Sequence, residues 1–290
     1  MATETQAPPY SEEDVGNIVL MEHVNVQVPD QSLATLFYVV GMGFTRDPEM
    51  MVGLENMWIN LGEQQFHLPT GEPQALRGHT GIVTPSLDAL ATRLEGVAPK
   101  LEGTQFSWSR HDNYIEAVSP WGNVFRCYEP DAEFGNMRVG IPYVQFTVPR
   151  GTAAGIAAFY DQVIGAAAGV KNTEDGDAAE VSVGQHQRLI FQEADDVPDY
   201  DGHHIAVYIA NFSKPYSFLS ERGLVTEDPN NHQFRFVDIV DPETNKVLFK
   251  IEHEVRGMKH AMFRRPLVNR TMGLLEPRRV GGQTVMGSVM

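Results

Sequence analysis

The chain has 290 residues, 42% hydrophobic and 21% charged, with a formal net charge of -16. That length suits two domains of ordinary size, each with its own core, and the acidic balance lacks the basic footprint of a nucleic-acid binder. The single cysteine, Cys127, excludes a disulfide within the chain and fits a reducing compartment.

In chain order, Met1 to Asp14 is acidic and carries Pro8 and Pro9, without the basic and apolar regions of a secretory signal. No apolar run approaches the roughly 18–20 residues that cross a bilayer. The expectation is a cytoplasmic protein with no membrane partner. Glu22 to Gln27 then reads as a strand, with Val24, Val26 and Val28 alternating with Asn25 and Gln27. Asp30-Gln31-Ser32 offers a helix start, and Leu33, Leu36, Phe37 and Val40 recur at helical spacing. Met57 to Gly62 and Gln64 to Leu68 predict two short strands around a Gly-Glu turn. Pro85 to Leu94 predicts a second helix with Leu87, Leu90 and Leu94 on one face. Tyr114 to Val118 and Asn123 to Tyr128 predict a hairpin around Ser119-Pro120-Trp121-Gly122.

The same series then returns at an offset of about 120 residues, the mark of an internal duplication. Val28-Pro29 is answered by Val148-Pro149, Phe37-Tyr38 by Phe159-Tyr160, and Gly41 by Gly165. Gly78-His79 is answered by Gly202-His203-His204, and Ser119-Pro120 by Asp241-Pro242. The boundary falls in the polar stretch Asp131 to Arg138. Each half reads as two βαβββ units, so the fold class is α+β with four modules. The predicted divisions are 18–130, 138–254 and a basic arm over 255–290.

His23 to Asp30, followed by Phe37-Tyr38 and Gly41-Met42-Gly43-Phe44, resembles the opening of a glyoxalase-type vicinal oxygen chelate module. Gly78 to Val83 resembles the opening of that family's next module, and Ser119 to Asn123 its final turn. The resemblance spans roughly residues 18–254. It implies modules paired into two open, cup-shaped mixed sheets, each cup able to hold a divalent metal and a small substrate that chelates it through adjacent oxygens.

The family's ligands come from the first and last strands of each module in a pair. With the first two modules taken as a pair, these positions fall on His23, His67, His79 and Arg126. Three neutral imidazoles with an open position suit one divalent metal: Fe, Mn, Ni or Zn. Arg126 departs from the Glu usual in the family. A guanidinium cannot ligate a cation but can clamp a substrate anion. Gln65 and Asn25 share strand faces with the histidines, as further substrate-binding residues or as polar residues at the cup mouth. In the second half the equivalent positions are Tyr143, Gln192, His203 or His204, and a residue near Leu248 to Glu252. Two-domain extradiol dioxygenases carry His, His and Glu in that half. Only His204 and Glu252 match here, so membership in that group is not supported.

His253, between Glu252 and Glu254, reads as a surface ion pair or a titrating group. Cys127 reads as a buried inert thiol. The basic arm, with Arg256, Lys259, Arg264, Arg265, Arg270, Arg278 and Arg279, reads as packed on the acidic body or as covering the cup, with Asp195, Asp196, Asp199 and Asp201 as candidate contacts. The leading functional expectation is a metal-dependent enzyme on a small oxygen-chelating substrate, dioxygenase-like by its two-part layout. The alternatives are a glyoxalase-type lyase or isomerase, and a metal-free sequestering protein of the same fold. A homodimer is the expected assembly.

Overall fold

The computed structural model describes residues 14–50, 53, 55–270, 278–280 and 283–285, the last two stretches as backbone. The acidic start up to Glu13, Gly281-Gly282 and the side chains of Arg278 and Arg279 lie outside the described residues.

Four modules follow one another. The first holds β1 (Ile18–Asn25), α1 (Gln31–Ala34), β2 (Thr45–Arg46), β3 (Asn56–Leu61) and β4 (Gln64–Pro69). The second holds β5 (Gly78–Val83), α2 (Leu87–Val97), β6 (Ser107–Arg110), β7 (Ile115–Val118) and β8 (Val124–Tyr128). The third holds β9 (Tyr143–Pro149), α3 (Ala153–Ala158), β10 (Ala168–Thr173), β11 (Gly176–Ser182) and β12 (Arg188–Ala194). The fourth holds β13 (His204–Ile209), α4 (Ser213–Glu221), β14 (Val225–Glu227), β15 (Gln233–Val240) and β16 (Val247–Gly257). A short hairpin, β17 (Arg278–Val280) and β18 (Gln283–Val285), follows.

The helix starts are set by caps. The Asp30 carboxylate accepts from the Ser32 and Leu33 amides, and the Ser86 hydroxyl accepts from Ala89. The repeated Phe-Tyr pairs lie in π-helical segments, Thr35–Gly41 after α1 and Phe159–Ile164 after α3. All four rings are fully buried.

The strands form two eight-stranded sheets. One runs β14-β15-β16-β13-β1-β4-β3-β2 and the other β10-β11-β12-β9-β5-β8-β7-β6. Each mixes parallel pairs, such as β1 with β4, and antiparallel ones, such as β1 with β13. The expected four modules and two mixed sheets are present, but the partnering differs from the sequence reading. The first module joins the fourth, and the second joins the third. Stretches 18–130 and 138–254 are therefore units of the repeat, and neither closes a sheet alone. The second and third modules join through β5 and β9, antiparallel neighbours, and the first and fourth join in the same way through β1 and β13. The two sheets meet through aromatic side chains. Phe66 on β4 and Phe125 on β8 have ring centroids 5.6 Å apart, edge to face, and both contact Tyr38.

β1 also departs from a half-buried strand. Its polar face is buried with its apolar one, His23 at 0% and Asn25 at 4% exposure, because that face lines the concave side of the first sheet. From Gly257 the arm crosses the same sheet. Phe263 packs on Tyr208, centroids 5.0 Å apart. Arg265 pairs with Asp47 at 2.6 Å and Glu49 at 3.0 Å. Asn60 donates to the Val268 carbonyl at 3.0 Å, and Asn269 exchanges hydrogen bonds with Gly62. The acidic loop expected to receive the arm is engaged elsewhere, Asp195 with Arg150 and Asp201 with His203.

Candidate metal centre

Three neighbouring strands set the site. Asn25 on β1 is the register partner of both His204 on β13 and His67 on β4. His23 lies two residues before Asn25, so all four side chains project from one face. The imidazole nitrogens of His23, His67 and His204 fall within 4.8 Å of one another. Among the described residues this is the one such group of three.

His23 and His67 each have one ring nitrogen hydrogen-bonded to an oxygen, His204 has one facing a carboxylate, and each ring has its other nitrogen left over. His23 Nδ1 donates to Glu22 Oε2 at 3.0 Å, and its Nε2 is buried without a partner. His204 Nδ1 faces Glu252 Oε1 at 3.3 Å, and its Nε2 is likewise buried and without a hydrogen bond. His67 Nε2 donates to Asn56 Oδ1 at 2.7 Å, which leaves the lone pair on Nδ1. The His67 ring stacks on Trp58, centroids 3.9 Å apart and 12° from parallel. An N–H held by an oxygen fixes the tautomer and aims the other nitrogen, as in metal-ligating histidines. Burial, reinforced by neighbouring cations, pushes His67 down to about 3 and His204 well below its ordinary value. Both rings are therefore neutral at neutral pH.

A carboxylate stands beside the triad. Glu254 Oε2 lies 3.6 Å from His204 Nε2. Glu254 is 3% exposed and held by Arg235 and Arg256, each at 2.5 Å. Burial raises its pKa, but cationic neighbours, Arg256 and Arg235 among them, outweigh that and keep it ionised below the usual carboxylate range. Arg256 also pairs with Glu22, the residue that holds His23. Buried unpartnered imidazole nitrogens facing a locked carboxylate fit a divalent cation better than a void, because each would otherwise forfeit hydration for nothing.

Of the residues singled out in the sequence, the structure brings together His23, His67, Asn25 and Gln65. Asn25 Oδ1 is buried without a partner. The Gln65 amide is committed to Asn60 at 2.6 Å and Asp47 at 3.0 Å. His79 and Arg126 are elsewhere, on β5 and β8 of the other sheet. His79 Nε2 meets the Tyr143 hydroxyl at 3.2 Å, and Tyr143 meets Tyr128 at 2.9 Å. Tyr143 occupies the space over Gly81, where a Cβ would fall 2.3 Å from its ring. Arg126 bonds Glu116 at 3.2 Å. The equivalent face of the second sheet is thus filled by a tyrosine. His253 is no surface ion pair. It is 1% exposed, stacked on Phe236 and bonded to the Tyr160 hydroxyl at 2.6 Å. Cys127 is buried, and burial raises its thiol.

The residues missed are His204 and Glu254 as partners of His23 and His67. One signal for them was available. Ligand-type side chains are concentrated in the first and fourth modules, while the second and third offer only His79 among Arg126, Tyr143 and Gln192 at matching positions.

No protein-family model matches the sequence, and no curated protein does. Solved structures do match in fold. Glyoxalase I from Zea mays aligns with TM-score 0.57 and 15% identity, over 86% of this chain and 94% of that one. A point variant of the same enzyme aligns with TM-score 0.57 and 16% identity, over 82% and 92%. A candidate dioxygenase from Bacillus subtilis aligns with TM-score 0.53 and 15% identity, over 87% and 92%. The chain shares its fold with these glyoxalase and dioxygenase structures. No helix among the described residues is long and apolar enough to cross a membrane.

Proposed function

We propose that the chain is a metal-dependent enzyme acting on a small oxygen-chelating substrate, with His23, His67, His204 and Glu254 as the side chains that hold one divalent ion. The observation that carries this reading is the pairing pattern of the rings, each with one nitrogen oriented by an oxygen and the other unspent. When bound, the metal supplies a Lewis acid for adjacent substrate oxygens. Asn25, with its amide oxygen free beside the triad, orients the substrate by a hydrogen bond. Trp58 and His67 form a flat wall for an apolar portion. The arm, seated on Tyr208 and Asn60, keeps water from one end of the cup.

Glu254 selects the chemistry. With four side chains in the ligand set, a bound ion would serve as a Lewis acid toward two adjacent substrate oxygens, which favours lyase or isomerase chemistry over the dioxygenase chemistry expected from the two-part layout. Were Glu254 to stay with Arg235 and Arg256, the dioxygenase reading would stand.

Elemental analysis of the purified protein beside His204→Ala tests the proposal. About one Fe, Mn, Ni or Zn per chain, lost in the variant, supports it. No metal in either protein, and none taken up on reconstitution, leaves a metal-free binding protein.

A further inference from the structure

Away from the metal centre, a cavity of about 440 Å³ lies where the first module, the start of α2, the connection between the halves and the arm converge. None of His23, His67, His204 or Glu254 lines it. Its volume is in the range of small-molecule sites, roughly 300–1,000 Å³. Met42, Phe44, Leu61 and Ala89 give it apolar walls, and Arg93 and Arg270 bring two guanidinium groups to it.

Those two arginines differ from most of the others. Arg110, Arg126, Arg150, Arg188, Arg235, Arg256 and Arg265 each sit on a carboxylate. Arg77 lies over the rings of Tyr200 and Phe249. Among the described residues, Arg93 and Arg270 have only carbonyl partners. Arg93 donates to Gly41 and Met42 over 3.3 and 3.4 Å, and Arg270 donates to Phe44 at 3.1 Å. The Arg93 guanidinium lies over Gly43, where a Cβ would fall 2.8 Å from its Nε. Any side chain at that position would push the group away. Burial lowers the pKa of Arg93, and no carboxylate compensates. In a chain of net charge -16, half-buried Arg93 and exposed Arg270 line an apolar hollow with no acidic partner among the described residues, an incomplete ion pair.

We propose that this cavity binds an oxyanion, carboxylate or phosphate, carried on an apolar body, with the two guanidiniums clamping the head and the apolar walls receiving the body. Planar guanidinium forks match either head group. The site is independent of the metal-enzyme reading and stands or falls separately from it.

Calorimetric titration of the full chain with octanoate, octyl phosphate, octanol and inorganic phosphate tests this. Octanoate or octyl phosphate should saturate a single site, and the tighter of the two identifies the head group. Octanol and inorganic phosphate should bind at least about tenfold more weakly, each lacking one half of the recognition. Arg93→Met keeps the apolar stem and should weaken binding about tenfold or more. Ala89→Phe, on the exposed side of α2, should fill the cavity and weaken binding with the fold intact by circular dichroism. No binding of either amphiphile, equal binding of octanol, or affinity unchanged by Ala89→Phe overturns the proposal.

Discussion

His23 and His204 come from the first and last modules of the chain, yet their ring centroids lie 5.7 Å apart with both Nε2 atoms buried and without hydrogen-bond partners. His79, on β5 of the other sheet, has Tyr143 instead. Replacing His204 by Ala should therefore abolish metal uptake, while His79→Ala leaves it in place. Equal metal loss in both variants, by elemental analysis, would refute the assignment.

Asn56 fixes the His67 ring through a 2.7 Å hydrogen bond without belonging to the ligand set. Asn56→Ala should lower metal affinity by roughly 10- to 100-fold, the usual effect of removing a residue that orients a ligand. Competition with a chromogenic chelator measures it. An unchanged affinity would mean that Trp58 stacking alone positions the ring.

Burial pushes His79 down to about 3 from an ordinary 6.5, with Arg126 adding to the effect. Between those values the unfolded chain takes up a proton that the folded chain refuses. Its contribution to stability is complete above the unfolded value and declines as pH falls through the window, with a slope of at most about 1.4 kcal/mol per pH unit. Urea unfolding of His79→Gln should show a smaller stability difference between about pH 5 and pH 7 than the parent chain. An identical difference would show that His79 does not contribute to the pH dependence.

Asp47 is fully buried and receives Arg265, Gln65 and the amides of Glu49 and Met50. Arg265→Ala leaves that carboxylate short of its cation and should cost about 1–3 kcal/mol. Limited proteolysis should then cut within 258–270 faster than in the parent. Unaltered cleavage would show that the Val268 and Asn269 contacts hold the arm by themselves.

Gly81 leaves the room that Tyr143 occupies. Gly81→Ala should displace the ring and destabilise the protein by about 1–3 kcal/mol, seen as a lower Tm. A Tm equal to the parent's would mean that the tyrosine is loosely seated.

The strands, the helix start at Asp30 and the fourfold module pattern were legible because alternation, helical spacing and turn residues are local signals. His23 and His67 were legible for the same reason, since one module contains both. The partnership with His204 and Glu254 was not, because the repeat says that modules pair without saying which. Taking neighbours in sequence as neighbours in space put His79 and Arg126 beside His23, whereas β1 pairs with β13. His253 was misjudged because its flanking glutamates advertise a solvated strand end. The alternation of β16 in fact turns it to the core, against Tyr160 and Phe236.

The nesting of one sheet inside the sequence of the other has a consequence for synthesis. The strands of the inner sheet are contiguous, from β5 to β12, and can assemble as soon as that stretch has left the ribosome. The outer sheet must wait, because β1 is made before the inner sheet and its partner β13 only after the whole of it. Until then β1 exposes an open edge and half of the proposed metal site, and closing so long a loop is slow. Translation stalled before β13 would release a chain with one finished sheet and His23 and His67 without their partners.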